Sequence, residues 1–160
     1  MLWFLFSRNG FAATTTISTA ADWTTHTAFG EKGVILNDGD ILNITAPTSP
    51  NASAPFRITV NITDNGVYTI NGTAEQTYEN VCILINTPGN GVPRALTLNL
   101  NNVHFKGPGV NSVWGHTLHS VGDTVTLTVN MNHSSLTGYR AGYASGIYTS
   151  YDLILNLIGT

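Results

Sequence analysis

The chain is expected to be an all-β protein, a right-handed parallel β-helix in which short strands stack coil upon coil. Three observations predict this: a recurring β-like run, a composition dominated by strand and turn formers, and turn signals at short intervals. The run Ala95-Leu-Thr-Leu-Asn-Leu-Asn-Asn returns as Thr124-Val-Thr-Leu-Thr-Val-Asn-Met and as Asp152-Leu-Ile-Leu-Asn-Leu. Leu96, Val125 and Leu153 correspond, then Leu98, Leu127 and Leu155, then Leu100, Val129 and Leu157, each set recurring at a nearly constant interval. Self-similarity at such a period marks a stacked architecture, because one unit cannot bury its apolar face alone.

Composition supports the same class. The chain of 160 residues contains 23 Thr and 17 Asn, and 42% of it is apolar. Thr suits strands, and Asn and Gly suit tight turns, so long helices are not expected. Nine acidic and six basic residues leave a net charge of -3, which provides no basic patch and argues against nucleic acid as a partner. The single cysteine, Cys82 in Val81-Cys-Ile-Leu-Ile, reads as a small buried hydrophobe in a strand and forbids an intrachain disulfide.

From the N-terminus, the apolar run Met1-Leu-Trp-Phe-Leu-Phe followed by Gly10 and Ala12 is expected to be part of a signal peptide over residues 1–13, although Arg8 interrupts it and no positive segment precedes it. Residues 14–32, Thr- and Ala-rich with Trp23 and His26, are expected to be a linker or irregular approach. Residues 33–160 are expected to form the solenoid. Gly33-Val-Ile-Leu and Ile41-Leu-Asn-Ile flank Asn37-Asp-Gly-Asp and form its first coil or cap. A loop with Pro47, Pro50 and Pro55 then interrupts regular structure.

Beyond Arg57 the β signal is nearly continuous. Ile58, Val60 and Ile62 alternate with Thr59 and Asn61, Val67-Tyr-Thr-Ile follows the turn Asp64-Asn-Gly, and Val81-Cys-Ile-Leu-Ile is apolar enough to be covered on both faces. Shorter runs, His116-Thr-Leu-His-Ser and Gly146-Ile-Tyr-Thr, precede the long ones, with Leu118 matching Ile147 at the same interval. Leu98, Leu127 and Leu155 are thus expected to form one inward column, and Asn99, Thr128 and Asn156 an outward ladder on strands about 4.8 Å apart. An antiparallel sandwich would explain the alternation but not this recurrence. The run Leu157-Ile-Gly-Thr160 falls within a coil and has no polar cap, so the expectation is an N-terminal fragment of a longer solenoid. No run approaches the roughly 18 apolar residues of a membrane span.

Gly66-Val-Tyr-Thr-Ile-Asn-Gly-Thr, Val81-Cys-Ile-Leu-Ile, Leu96-Thr-Leu-Asn-Leu-Asn-Asn-Val, Val125-Thr-Leu-Thr-Val-Asn and Gly146-Ile-Tyr-Thr-Ser-Tyr-Asp-Leu together resemble bacterial surface proteins of the pectin-lyase-like β-helix group. The resemblance is to the carbohydrate-binding-domain-containing type and covers roughly residues 57–160. It implies secretion or surface display, and a polysaccharide or host-cell glycan as partner. A fold by itself carries no activity.

The chemistry-bearing residues are few. Of the carboxylates, only Asp38 with Asp40 and the stacked Asp123 with Asp152 are plausible neighbours, and turn geometry explains both pairs. No catalytic residue is assigned. His116 and His119 are three apart, which on a strand puts them on opposite faces and excludes a shared metal. His104 and His133 are separated by the repeat interval and could stack, but no third ligand is named. No metal set and no cofactor is therefore assigned. For a glycan, aromatic faces beside neutral donors are the useful groups. Trp114 matches Tyr143 and His119 matches Tyr148 at that interval too, with Tyr139 and Arg140 in the adjoining loop. These six residues form the candidate ligand platform; a rival reading has Trp114 and Tyr143 closing the core at a corner.

The expectation is a secreted or cell-surface solenoid with an adhesive or carbohydrate-binding role, non-catalytic in the residues present. Two other readings stand beside it. One is the N-terminal part of a β-helix polysaccharide lyase or glycoside hydrolase with its catalytic coils further along. The other is a structural spacer.

Overall fold

Strand-forming residues at period two build three parallel sheets here, and among the described residues no hairpin joins consecutive strands beyond the first coil. The computed structural model describes residues 12–62, 66–86, 92–108, 116–121, 125–138, 145–150 and 152–159. Strand accounts for 58% of the described residues and helix for 3%, which makes the class all-β. The expected leader over residues 1–13 lies almost entirely outside the described residues.

The elements in chain order are β1 (Thr14–Ile17), α1 (Asp22–Thr25), β2 (Thr27–Ala28), β3 (Glu31–Leu36) and β4 (Ile41–Ile44). Three coils of three strands follow: β5 (Phe56–Asn61), β6 (Gly66–Asn71) and β7 (Thr77–Glu79); β8 (Val81–Asn86), β9 (Arg94–Asn101) and β10 (His104–Lys106); β11 (Leu118–Val121), β12 (Val125–Asn132) and β13 (Ser135–Thr137). The last described strands are β14 (Ile147–Thr149) and β15 (Leu153–Ile158). Sheet 1 runs β1-β4-β6-β9-β12-β15, sheet 2 runs β7-β10-β13, and sheet 3 runs β2-β3-β5-β8-β11-β14. All pairings are parallel except β2 with β3, so the molecule is a parallel β-solenoid of about four turns.

The core is the inward half of each alternation. Tyr68, Leu98 and Val129 lie in register in sheet 1, and Ile58, Ile83 and Leu118 in sheet 3. All six are buried. Tyr78, Phe105 and Leu136 form the matching column of sheet 2.

The register of sheet 1 departs from the expected one by two positions. Leu127 pairs with Leu96 and Leu153, and Val129 with Leu98 and Leu155. Leu127 therefore does not share a column with Leu98 and Leu155. The cause is the period-two pattern itself: a slip of two keeps every apolar residue facing inward, so hydrophobic matching cannot detect it. In sheet 3 the expected interval holds, with Leu118 on Ile147 and His119 on Tyr148. Turns of unequal length absorb the difference.

Residues 14–32, expected as a linker or irregular segment, begin with a strand and carry a buried tryptophan. The strand β1 lies on β4 from Thr14 on Ile41 to Ile17 on Ile44. Trp23 is 2% exposed and meets Phe56 edge-on at 4.9 Å and Tyr78 at 5.7 Å between ring centroids. Its indole N–H donates to the Thr48 carbonyl at 2.7 Å, so the proline-bearing loop supplies the lid. The turn acids work on backbone. The Asp40 carboxylate accepts from the amides of Ala13 and Asn37, and that of Asp38 from the amide of Val67.

Candidate functional site

Two places on the solenoid wall combine geometry with binding chemistry, and the sequence pointed to only part of each. The first is the outward face of sheet 1. There β6 presents Thr69 and Asn71, β9 presents Asn99 and Asn101, β12 presents Asn130 and Asn132, and β15 presents Asn156 and Ile158, in two columns set by the strand register. In one column the Asn130 amide donates to Asn99 Oδ1, and the Asn156 amide to Asn130 Oδ1, each at 2.8 Å. In the other, Asn71 donates to Asn43 and Asn101 to Asn71, both at 2.9 Å, and Asn132 to Asn101 at 3.5 Å.

The expected ladder of Asn99, Thr128 and Asn156 is corrected by the same shift of two: Asn130, not Thr128, is the rung between Asn99 and Asn156. Thr128 lies on Thr97 instead. Each interior amide gives one N–H and accepts one hydrogen bond within its column. One N–H and one carbonyl lone pair of each remain outside the ladder. The columns line a shallow trough of about 400 Å³ made by Thr69, Asn99, Asn101, Asn130, Asn132, Asn156 and Ile158. No Lys, Arg, Asp or Glu occupies an outward position of sheet 1 among the described residues. The signal that could have revealed the second column is the recurrence of Asn-x-Asn at Asn99-Leu-Asn101 and Asn130-Met-Asn132.

The second place is on sheet 3. Tyr148 stacks on the His116 ring at 4.7 Å and 22°, and His119 meets the same tyrosine edge-on at 5.2 Å. The two imidazoles are 5.3 Å apart, which corrects the expectation that they face opposite sides. The reason is that β11 begins only at Leu118, so His116 belongs to the preceding turn and strand alternation does not apply to it. Ser145 fixes the His116 ring, its Oγ 2.8 Å from Nδ1 and its amide donating to Nδ1 at 3.1 Å. Burial first, and the neighbouring His116 second, hold the His119 imidazole below its ordinary value. The stability this preference contributes is present above about pH 6.5 and is lost as pH falls through the lowered folded value. Of the predicted platform, His119 and Tyr148 thus come together; Trp114, Tyr139, Arg140 and Tyr143 lie outside the described residues.

Other candidates resolve into structure. His104 pairs with Ser135, 2.9 Å from its Oγ, whereas His133 occupies a corner at φ 46°, so the two histidines are not equivalent rungs. Asp152 precedes Leu153, which lies on Leu127, so it is level with Thr126; its expected partner Asp123 lies outside the described residues. No group of three His, Cys, Asp or Glu among the described residues is placed to hold a metal ion. A cleft of about 410 Å³ beside Cys82 has Arg57 and Glu31 in its lining, already paired with each other.

Cys82 itself is 6% exposed, and burial pushes its thiol up to about 11. The thiolate is the reactive form, so alkylation of the folded protein by iodoacetamide at pH 8 is expected to be at least about tenfold slower than in urea. Rates within a factor of two of each other would show the thiol to be accessible. By linkage, the thiol's contribution to stability is intact below its unfolded value and declines as pH rises toward 11.

Compared with known proteins, the chain matches no family model, no curated protein and no solved structure. Its architecture places it among parallel β-solenoids. No helix among the described residues is long and apolar enough to cross a membrane.

Proposed function

We propose that the chain is a non-catalytic, secreted or cell-surface solenoid that binds neutral polysaccharide. The observation that carries this reading is the trough on sheet 1, lined by five amides, one hydroxyl and Ile158, with no charge on that face among the described residues. Neutral, polyhydroxylated chains need paired donors and acceptors at close spacing and no counter-charge, and each Asn offers both. A phosphorylated or carboxylated ligand would need cations that this face lacks. The stacked Tyr148, 43% exposed, adds an aromatic surface of the kind that sugar C–H groups pack against. The pectin-lyase-like, carbohydrate-binding type noted from the sequence agrees with this reading.

A glycan array of neutral and acidic polysaccharides tests it. The intact protein is expected to be retained by neutral glycans only, and Asn99→Ala combined with Asn130→Ala to lower that binding by at least about tenfold, as loss of two or more hydrogen bonds implies. Tyr148→Ala is expected to have the smaller effect. Retention by no neutral glycan, or equal binding by the double variant, would remove the proposal.

A further inference from the structure

Resting on the glycan-binding reading, we infer that the ligand is a linear polysaccharide lying across the strands, parallel to the solenoid axis, with one sugar unit per coil. The shape of the trough carries the orientation. Its lining crosses four strands, β6, β9, β12 and β15, but takes only two positions from each of the three later ones. It is therefore long in the direction of stacking and narrow along the strand.

The chemistry runs the same way. A ligand following a strand would meet Thr97, Asn99 and Asn101 and then a corner, because Asn102 at φ 52° and His133 at φ 46° turn the chain out of the sheet. A ligand crossing the strands meets an amide at successive steps, Asn99, Asn130 and Asn156 in one column and Asn101 and Asn132 in the other, with Thr69 and Ile158 at the ends. The step is about 4.8 Å, the spacing of neighbouring strands, comparable with the advance of one unit in an extended pyranose chain. All the ladder amides point the same way, each Nδ2 toward the preceding coil. The uncommitted N–H and lone pair therefore repeat in one orientation, and the bound chain has a defined direction. A polymer of identical units then gains a further increment from each strand it crosses, as linked binding elements do when their spacing fits the sites.

Calorimetric titration with cello-, xylo- and manno-oligosaccharides, from the disaccharide to the hexasaccharide, tests this. In the series that binds, affinity is expected to rise about fivefold per unit, one or two hydrogen bonds each, and to level off at about the tetrasaccharide, one unit per strand crossed. Asn156→Ala, at the end of its column, is expected to move the plateau to the trisaccharide. Asn130→Ala, in the middle, is expected to weaken every length by about tenfold. Thr126→Ala, outside the trough on β12, leaves the profile unchanged, and thermal melts by circular dichroism establish that each variant is folded. Affinity independent of length, yet still dependent on Asn130, would overturn the axial placement and leave the glycan reading standing. A plateau that does not move with Asn156→Ala would overturn it equally. Binding of none of the three series, together with a blank glycan array, would overturn both.

Discussion

Leu127→Asp is expected to abolish the cooperative fold. Leu127 has no solvent exposure and sits on β12 between Leu96 of β9 and Leu153 of β15. Neither neighbour offers a hydrogen bond or a positive charge to a carboxylate. The substitution removes an apolar side chain worth about 1.5–3 kcal/mol of burial and leaves an ionised group whose effective desolvation costs several kcal/mol more. The total, at least about 5 kcal/mol, is comparable with the whole stability of a small domain. Urea unfolding followed by circular dichroism is the measurement, with Thr128→Asp beside it. Thr128 is the next residue, points outward, and is expected to tolerate the same charge within about 1 kcal/mol. A Leu127→Asp protein that keeps a sharp transition near the parental midpoint would refute the inward assignment.

Trp23→Ala is expected to cost about 3–5 kcal/mol, the range for emptying a buried indole site. The ring closes the first coil against Phe56 and Tyr78, and its N–H holds the proline-bearing loop through Thr48. In a stacked protein such a loss stays near the end where it occurs, because each coil contacts chiefly its neighbours. Hydrogen exchange is therefore expected to accelerate first in β1, β3 and β4, while β9 and β12 keep their protection. Uniform loss of protection along the axis would show that the stack melts as one unit. Trp23→Phe keeps the ring contacts but frees the Thr48 carbonyl, and is expected to cost nearer 1 kcal/mol.

The scaffold is legible in the sequence because burial writes itself into period two. Leu96, Leu98, Leu127 and Val129 alternate with Thr and Asn along β9 and β12, and that alternation survives any even slip. For the same reason the register is not legible, and alternation alone matches Asn99 with Thr128 instead of Asn130. Fixing it requires the turn lengths, which vary: ladder partners are 31 residues apart between Asn99 and Asn130 but 26 between Asn130 and Asn156. Trp23 passes for part of a linker because a one-turn helix has no periodicity to detect. The convergence of His116 on His119 is hidden by a boundary, since strand rules hold only from Leu118 onward. The chemistry of the sites, neutral and aromatic, is plain in the sequence; which rungs are neighbours is not.

Sheet order in the stack follows chain order without exception from β1 to β15 in sheet 1. Every coil is thus completed against one already made, and none waits for a partner from far downstream. The strand edge left by one coil is therefore in place to pair with the coil that follows it in the chain. Trp23 and β1 are covered only once Thr48, Phe56, Tyr78 and β4 have followed them. Because coil order and chain order coincide, the stack has a geometry that can be lengthened one coil at a time in the direction of synthesis.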